Sequence, residues 1–319
     1  MTFYNSVKQI IKGGLFTLSP SLLKIVQNYN KDYIYKIRCQ SQFGKLPAQI
    51  ADYYRDCDND EIKDIISFIT ENGIQMIPYE FISKYKPEDV NVYHDDNVQY
   101  PYVILGKNRI YFPRNATKTE IQNAVTTALI EQEEEQSPHR YLTESIRFEY
   151  DDIAVLVGAS EGIFCLSIID KVRKVYLFEA DEQWITPLSL TFAPYEDKVK
   201  IVQKFVSSMD KGNHVSLDRY FSQIGEDVNY IQADIEGNEK KLLLGAKRIL
   251  SGNNIKLSIC CYHNQEDQAE LSRLLSQYGF MIQYSKGYML MWMQVPCKKP
   301  YFRKGVIYAS KLWNSKTGF

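Results

Sequence analysis

The chain has 319 residues, 45% of them hydrophobic and 13% aromatic, enough for one large core or two ordinary ones. Its 38 lysines and arginines against 39 acids leave a net charge of −1, which offers no general attraction for nucleic acid or an anionic membrane. No run of about eighteen apolar residues occurs, so no transmembrane segment is expected, and the six cysteines, without a C-x-x-C spacing, read as reduced, buried thiols of a cytoplasmic protein.

The start, "FYNSVKQIIKGGLFTLSPSLLKIVQN", has apolar clusters broken by Lys8, Lys12, Gly13, Gly14 and Pro20 and no small-residue cleavage site, which argues against a signal peptide and for amphipathic helices. As far as Tyr85 the pattern is mostly helical. "EIKDIISFITENGI" sets Ile62, Ile65, Ile66, Phe68 and Ile69 largely on one side, with Gly73 as a stop. "YPYVILGKNRIYFPRN" reads as two strands joined through Gly106, Lys107 and Asn108, and a helix follows from Thr119 to about Glu133. "EEEQSPHRYL" is then a polar turn that ends the helix.

From Ile153 the period changes. Strand-like runs at Ile153–Gly158, Lys174–Glu179, Val199–Val206, Asn229–Asp234 and Lys256–Tyr262 alternate with helical or irregular segments, the pattern of a doubly wound parallel sheet. The tail, "FMIQYSKGYMLMWMQV", places a turn at Lys286 and Gly287 between two strands too close for a crossover helix, so an antiparallel hairpin should close the sheet. The fold class is therefore α/β: a Rossmann-like, mostly parallel sheet of the class I methyltransferase kind with a terminal antiparallel hairpin. Two domains are expected, a helical and hairpin region over 1–151 and the sheet domain over 152–319.

Parallel sheets bind ligands outside the carboxyl ends of their strands, and three such ends carry glycines or acids. In "VGASEG" the turn Gly158, Ala159, Ser160 and Gly162 lets backbone approach a ligand and lets a helix pack close. Glu179, in "VYLFEAD", lies about twenty residues further on, where a carboxylate accepts from both hydroxyls of a ribose. "YIQADIEGNEKKLLLGAKRIL" puts Asp234, Glu236 and Glu239 around Gly237; Glu239 in a first helical turn suits the helix dipole, but Asp234 at the last strand position has no such explanation.

"VGASEG", "LFEAD", "SLDRYF", "DIEGNE" followed by "LLGAKRIL", and "YHNQED" stand in the order seen in FkbM-type methyltransferases, which this chain resembles from about Ile153 to Phe280. The resemblance implies S-adenosylmethionine as cofactor and methyl transfer to a hydroxyl oxygen, often of a sugar, as in polysaccharide or glycan biosynthesis. It implies a small-molecule or glycan acceptor; from the net charge, no nucleic acid partner is expected. The family usually carries aspartate near the cofactor's amino-acid moiety, where this chain has Leu156; Asp151 and Asp152 lie at the opposite end of the strand. The loss of one charged hydrogen bond costs roughly 1.5 to 3 kcal/mol, which weakens binding without abolishing it.

A base must accept the hydroxyl proton, and Asp234, Glu236 and His263 share the same rim. His139 in "SPHRY" closes over the cofactor in one reading and is merely exposed in the favoured one. Acids near His263 also suit a divalent metal, a reading not favoured over plain carboxylates. Two other functions compete: a catalytically silent binding module, for which Leu156 speaks, and a nicotinamide-dependent oxidoreductase, against which stand Ser160 in place of a second glycine and the antiparallel terminus.

Overall fold

The computed structural model describes residues 44–294 and 296–311, so the expected helices before Lys45 lie outside the described residues. The chain divides into two compact units, 1–55 and 56–319, and the boundary expected at 151–152 falls inside the second. In the first unit the described element is helix α1, Leu46–Tyr53.

The second unit opens with α2, Asp60–Asn72. The Asn59 side chain caps it by accepting from the Ile62 N–H, and Gly73, at φ 84°, ends it. Strands β1 (Val92–Asp95), β2 (Tyr100–Leu105) and β3 (Asn108–Tyr111) form an antiparallel sheet in which Leu105 faces Asn108 across Gly106 and Lys107. Helix α3, Lys118–Glu133, starts in a reciprocal cap between Thr117 and Glu120. Its Ile121 and Val125 pack with Val103, Ile110 and Phe112, and this small core continues onto Ile163, Leu166 and Trp184 of the sheet domain. The Tyr111 N–H donates to Thr191 Oγ1 at 2.9 Å, so the hairpin is bonded to the domain that follows it.

Next come β4 (Ile153–Val157), α4 (Ile163–Ile168), β5 (Lys174–Phe178), α5 (Glu182–Phe192) and β6 (Val199–Val202). A short parallel pair, β7 (Phe205–Val206) and β8 (His214–Val215), leads to α6 (Leu217–Ile224), β9 (Tyr230–Ala233), α7 (Glu239–Leu244), α8 (Lys247–Ser251), β10 (Lys256–Cys260) and α9 (Asp267–Gln277). Strands β11 (Met281–Tyr284), β12 (Met289–Leu290), β13 (Phe302–Arg303) and β14 (Val306–Ser310) complete the chain. The main sheet has seven strands in the order β11-β14-β10-β9-β4-β5-β6, with β14 antiparallel to both of its neighbours.

Helices cover both faces, which is why strands such as "IAVLV" are apolar without alternation. On one face Val155, Val157 and Ile231 pack with Leu217, Phe221, Leu242, Leu271 and Leu275; on the other Ala154, Leu156 and Leu177 pack with Cys165, Ile168, Leu188 and Phe192. Each large apolar side chain so buried contributes roughly 1.5–3 kcal/mol. Gly162 allows the second face to close: a Cβ there would stand 2.7 Å from Phe192 Cε2.

The terminal antiparallel element exists but has a different partner from the one expected. β11 pairs with β14, while β12 pairs with β13. The turn glycine is real, with Gly287 at φ 69°, but the Tyr288 N–H donates to Tyr79 Oη at 2.8 Å and the Leu290 N–H to the Met76 carbonyl at 2.9 Å. Those two bonds divert the strand away from β11 and leave its edge to β14.

Candidate active site

The carboxyl ends of β4, β5, β9 and β10 open on one rim, and the turns that leave them carry the expected residues. The Gly158 N–H donates to the Phe178 carbonyl at 3.0 Å, and a Cβ on Gly158 would stand 2.0 Å from the Asp234 carbonyl oxygen. Glycine is required there by contact between two strand ends, a reason internal to the fold. Ser160 sits at φ 45°, a conformation uncommon for a residue with a side chain, and its N–H donates to Glu179 Oε2 at 3.0 Å. Glu179 Oε1 accepts from the Asp181 N–H at 2.8 Å. One carboxylate thus braces two adjacent turns and keeps further lone pairs on both oxygens.

Asp234 is the centre of the site. Its Oδ1 lies 3.2 Å from His263 Nε2 and its Oδ2 3.2 Å from His139 Nε2. The Tyr141 hydroxyl donates to Oδ2 at 3.0 Å, and the Tyr262 hydroxyl to Oδ1 at 3.3 Å. Each histidine meets a second carboxylate on its other nitrogen, His139 Nδ1 with Glu131 at 3.2 Å and His263 Nδ1 with Glu239 at 3.2 Å. The result is a chain of alternating charge, Glu131, His139, Asp234, His263, Glu239. Both rings are buried, at 2% and 5% exposure.

Burial alone would strip the proton from such rings, but the flanking carboxylates outweigh it. His263 is pushed up to about 10 against desolvation by Asp234 and Glu239, and His139 is driven well above its ordinary value against desolvation by Glu131 and its neighbours. Burial works against the Asp234 charge too, yet the two imidazoles hold its carboxyl far below the usual carboxylate range.

Asp234, Glu236 and His263 do come together, with Glu236 Oε2 3.7 Å from His263 Nε2 on a side chain that is 91% exposed. Glu236 has φ 54°, a second strained position on the rim. His139, expected to be exposed, is instead buried against Asp234. Glu239 is 1% exposed and accepts from the Ile235 N–H at 2.8 Å, so it does more than suit a helix dipole. Four further contributors escaped the sequence reading. Glu131, Tyr141 and Tyr262 touch the chain of charges, and buried Arg303 holds the turn at His263 by donating to the Tyr262 carbonyl at 2.7 Å and the His263 carbonyl at 3.1 Å. An arginine three positions after "KKP" carries no local signal of that role.

Donor atoms of His139, Asp234 and Cys260, and of Asp234, Glu239 and His263, fall within 4.8 Å of one another. Every imidazole nitrogen among them lies 3.2 Å from a carboxylate oxygen, and these carboxylates favour the charged ring. The arrangement is that of ion pairs. Among the described residues the five cysteines are free, and no helix is long and apolar enough to cross a membrane.

Beside Asp234 a cavity of about 150 Å³ is lined by Leu156, Leu177, Gly158 to Gly162, Glu131, Tyr141 and Gln232, among others. Leu156 is 2% exposed and packs into the apolar face with Ala154, Cys165 and Leu177. In order along the chain the seven strands are arranged 6-7-5-4-1-2-3 with the seventh reversed. The fold is that of class I methyltransferases. A nicotinamide-type doubly wound sheet runs 3-2-1-4-5-6 with all its strands parallel, so the inserted reversed strand separates the two.

No protein-family model and no curated protein matches the sequence. Among solved structures, the methyltransferase FkbM from Methylobacillus flagellatus KT is similar at 20% identity and a TM-score of 0.42, over 60% of this chain and 53% of that one. This chain therefore spans about half of that protein's length. An rRNA methylase from Streptococcus thermophilus is similar at 16% identity and a TM-score of 0.36, over 52% of this chain and 89% of that one. A Streptococcus mutans protein described as a methyltransferase, in complex with SAH, is similar at 15% identity and a TM-score of 0.37, over 52% of this chain and 92% of that one. The fold class stands on the strand order itself.

Proposed function

We propose that this chain is an S-adenosylmethionine-dependent methyltransferase that methylates a hydroxyl oxygen of a sugar or glycan. The observation that carries the reading is the convergence of Asp234, His263 and Glu236 on the rim of a class I methyltransferase sheet, beside the turn braced by Glu179. The residues fit the cofactor. Glu179 keeps lone pairs for ribose hydroxyls, and Gly158 to Gly162 line the adjoining cavity together with Gln232. At about 150 Å³ the cavity is below the roughly 300 Å³ of pockets that enclose a whole drug-sized ligand, so it takes one end of the molecule.

Bound S-adenosylmethionine supplies an electrophilic methyl group. This chain's part is to place the acceptor hydroxyl in line with it, accept the hydroxyl proton as the new oxygen–carbon bond forms, and keep the site anionic enough to favour a sulfonium. Asp234, fixed from both sides, orients the acceptor. His263 takes the proton from its neutral form, or Glu236 takes it as a carboxylate. Acids on the rim disfavour a polyanionic acceptor and favour a neutral sugar. The test is calorimetric titration with S-adenosylmethionine, S-adenosylhomocysteine and NAD, followed by transfer of labelled methyl to a panel of oligosaccharides and to RNA. Binding of the first two without NAD, and label on carbohydrate, is expected; label on RNA alone overturns the acceptor class, and no binding of either adenosyl compound overturns the reading.

A further inference from the structure

A second cavity opens on another face of α3. Thr126 and Leu129 of that helix line it, whereas Ala128, Glu131 and Gln132 line the cavity beside Asp234. Its volume is about 260 Å³, and the rest of its wall comes from the segment 84–93 and from Val103, Ile104 and Leu105 of β2. The roles given to Asp234, His263 and Glu179 make no use of it.

Thr126 distinguishes this cavity from an ordinary surface hollow. A threonine inside a helix commonly donates to the carbonyl four residues back, but Thr126 Oγ1 is buried without any hydrogen-bond partner, on a residue 6% exposed. A polar group left so is costly, and its place in a cavity wall points to a bond supplied by an occupant. At the mouth, Tyr93 is 44% exposed and its ring is stacked on Tyr102 with centroids 5.5 Å apart, which fixes its plane before anything binds. Asp89 and Asn91 line the same mouth and are exposed. Charge there cancels: Lys84 is held by Glu134 at 3.0 Å, and Lys86 and Asp89 are of opposite sign.

These features select a class of occupant. A sugar ring has apolar C–H faces for the tyrosine and for the floor of Val103, Leu105 and Leu129, and hydroxyls around its edge for Asp89, Asn91 and Thr126. A polyanion finds no net positive charge here. The volume is below the roughly 300 Å³ of pockets that enclose a drug-sized ligand, so it holds one ring. We propose that this cavity binds one neutral sugar residue, as a subsite for a glycan acceptor whose methylated residue lies at the rim. The proposal rests on the carbohydrate reading of the acceptor above. A helix about 10–12 Å wide separates the two cavities, so the acceptor favoured is an oligosaccharide rather than a single sugar.

The test is saturation-transfer NMR on the full chain with neutral mono- to tetrasaccharides, acidic oligosaccharides and single-stranded RNA, followed by calorimetry on the parent, Tyr93→Ala and Thr126→Val. The first variant changes an exposed ring and the second removes an unpartnered hydroxyl, so both should melt with the parent. The expected result is a neutral oligosaccharide that both variants bind about 3- to 10-fold more weakly than the parent, with S-adenosylhomocysteine affinity unchanged. A sugar that either variant binds as tightly as the parent overturns the inference, as does a parent that binds only RNA, only acidic sugars or none of the probes. If both variants lose the sugar but labelled methyl never reaches carbohydrate, the cavity stands and the acceptor reading falls. If carbohydrate is methylated with the parent KM by both variants, the acceptor reading stands and the cavity falls.

Discussion

His263 stands between Asp234 and Glu239, 3.2 Å from a carboxylate oxygen on each of its two ring nitrogens. An imidazole in that position keeps both protons, and desolvation, which opposes the charge, is outweighed to give a value of about 10. The folded value is above the unfolded one of about 6.5. The stabilisation it brings is therefore complete below about pH 6.5 and is lost as pH rises through about 10. The melting temperature should fall across that interval in the parent and fall less steeply in His263→Gln, with ring nitrogen chemical shifts reporting a doubly protonated imidazole at pH 8. A neutral ring at pH 8 would contradict the arrangement.

Leu156 has been built into the core rather than left facing the solvent. It is 2% exposed, packs with Cys165 and Leu177, and lies across from Gln232 in the sheet. A carboxylate there would join Glu161 and Asp234 at one cavity without a new cation. Leu156→Asp should thus melt lower, by about 4–8 °C for a cost of about 2 kcal/mol, and bind S-adenosylhomocysteine no tighter than the parent. Tighter binding in calorimetry would mean that position 156 still addresses the ligand.

Much of the sheet was legible because each parallel strand is an apolar run ended by glycine or acid, and the rim followed from strand polarity alone. "DIEGNE" therefore put Asp234, Glu236 and Glu239 at the end of β9, where they stand. The other half of the site was not legible. Glu131, His139 and Tyr141 come from the region before the sheet domain, and nothing in "EEEQSPHRYL" indicates that its histidine is carried to the end of β9; only a long-range contact reveals it. The strand after Gly287 was misassigned to β11 for a related reason. A turn glycine signals reversal of the chain but does not say which strand the reversed segment will meet, and here Tyr79 and Met76 compete for its backbone.

Glu179 does two jobs in the proposed site, and the variants separate them. Its carboxylate holds the Ser160 and Asp181 N–H groups at 3.0 and 2.8 Å, so Glu179→Ala should lower the melting temperature even without ligand. Loss of the ribose contact should also weaken S-adenosylhomocysteine by roughly 1.5 to 3 kcal/mol, about one to two decades of affinity. Glu179→Gln keeps one acceptor oxygen and should fall between the two. An alanine variant that melts lower but binds as the parent would restrict Glu179 to bracing the turn.

The identity of the proton acceptor is the last point, and exposure makes the variants unequal tests. Asp234→Asn and His263→Gln each break buried ion pairs, so a loss of rate in either mixes chemistry with stability. Glu236 is 91% exposed on its side chain, and Glu236→Gln should fold and melt as the parent does. If Glu236 takes the proton, that variant alone should lose about two to four decades of methyl-transfer rate with unchanged cofactor affinity. If His263 takes it, Glu236→Gln should stay near the parent rate, and parent turnover should climb with pH toward about 10 as the imidazole releases its second proton. A rate that is flat with pH in the parent and untouched by all three substitutions would place the reacting centre away from this rim.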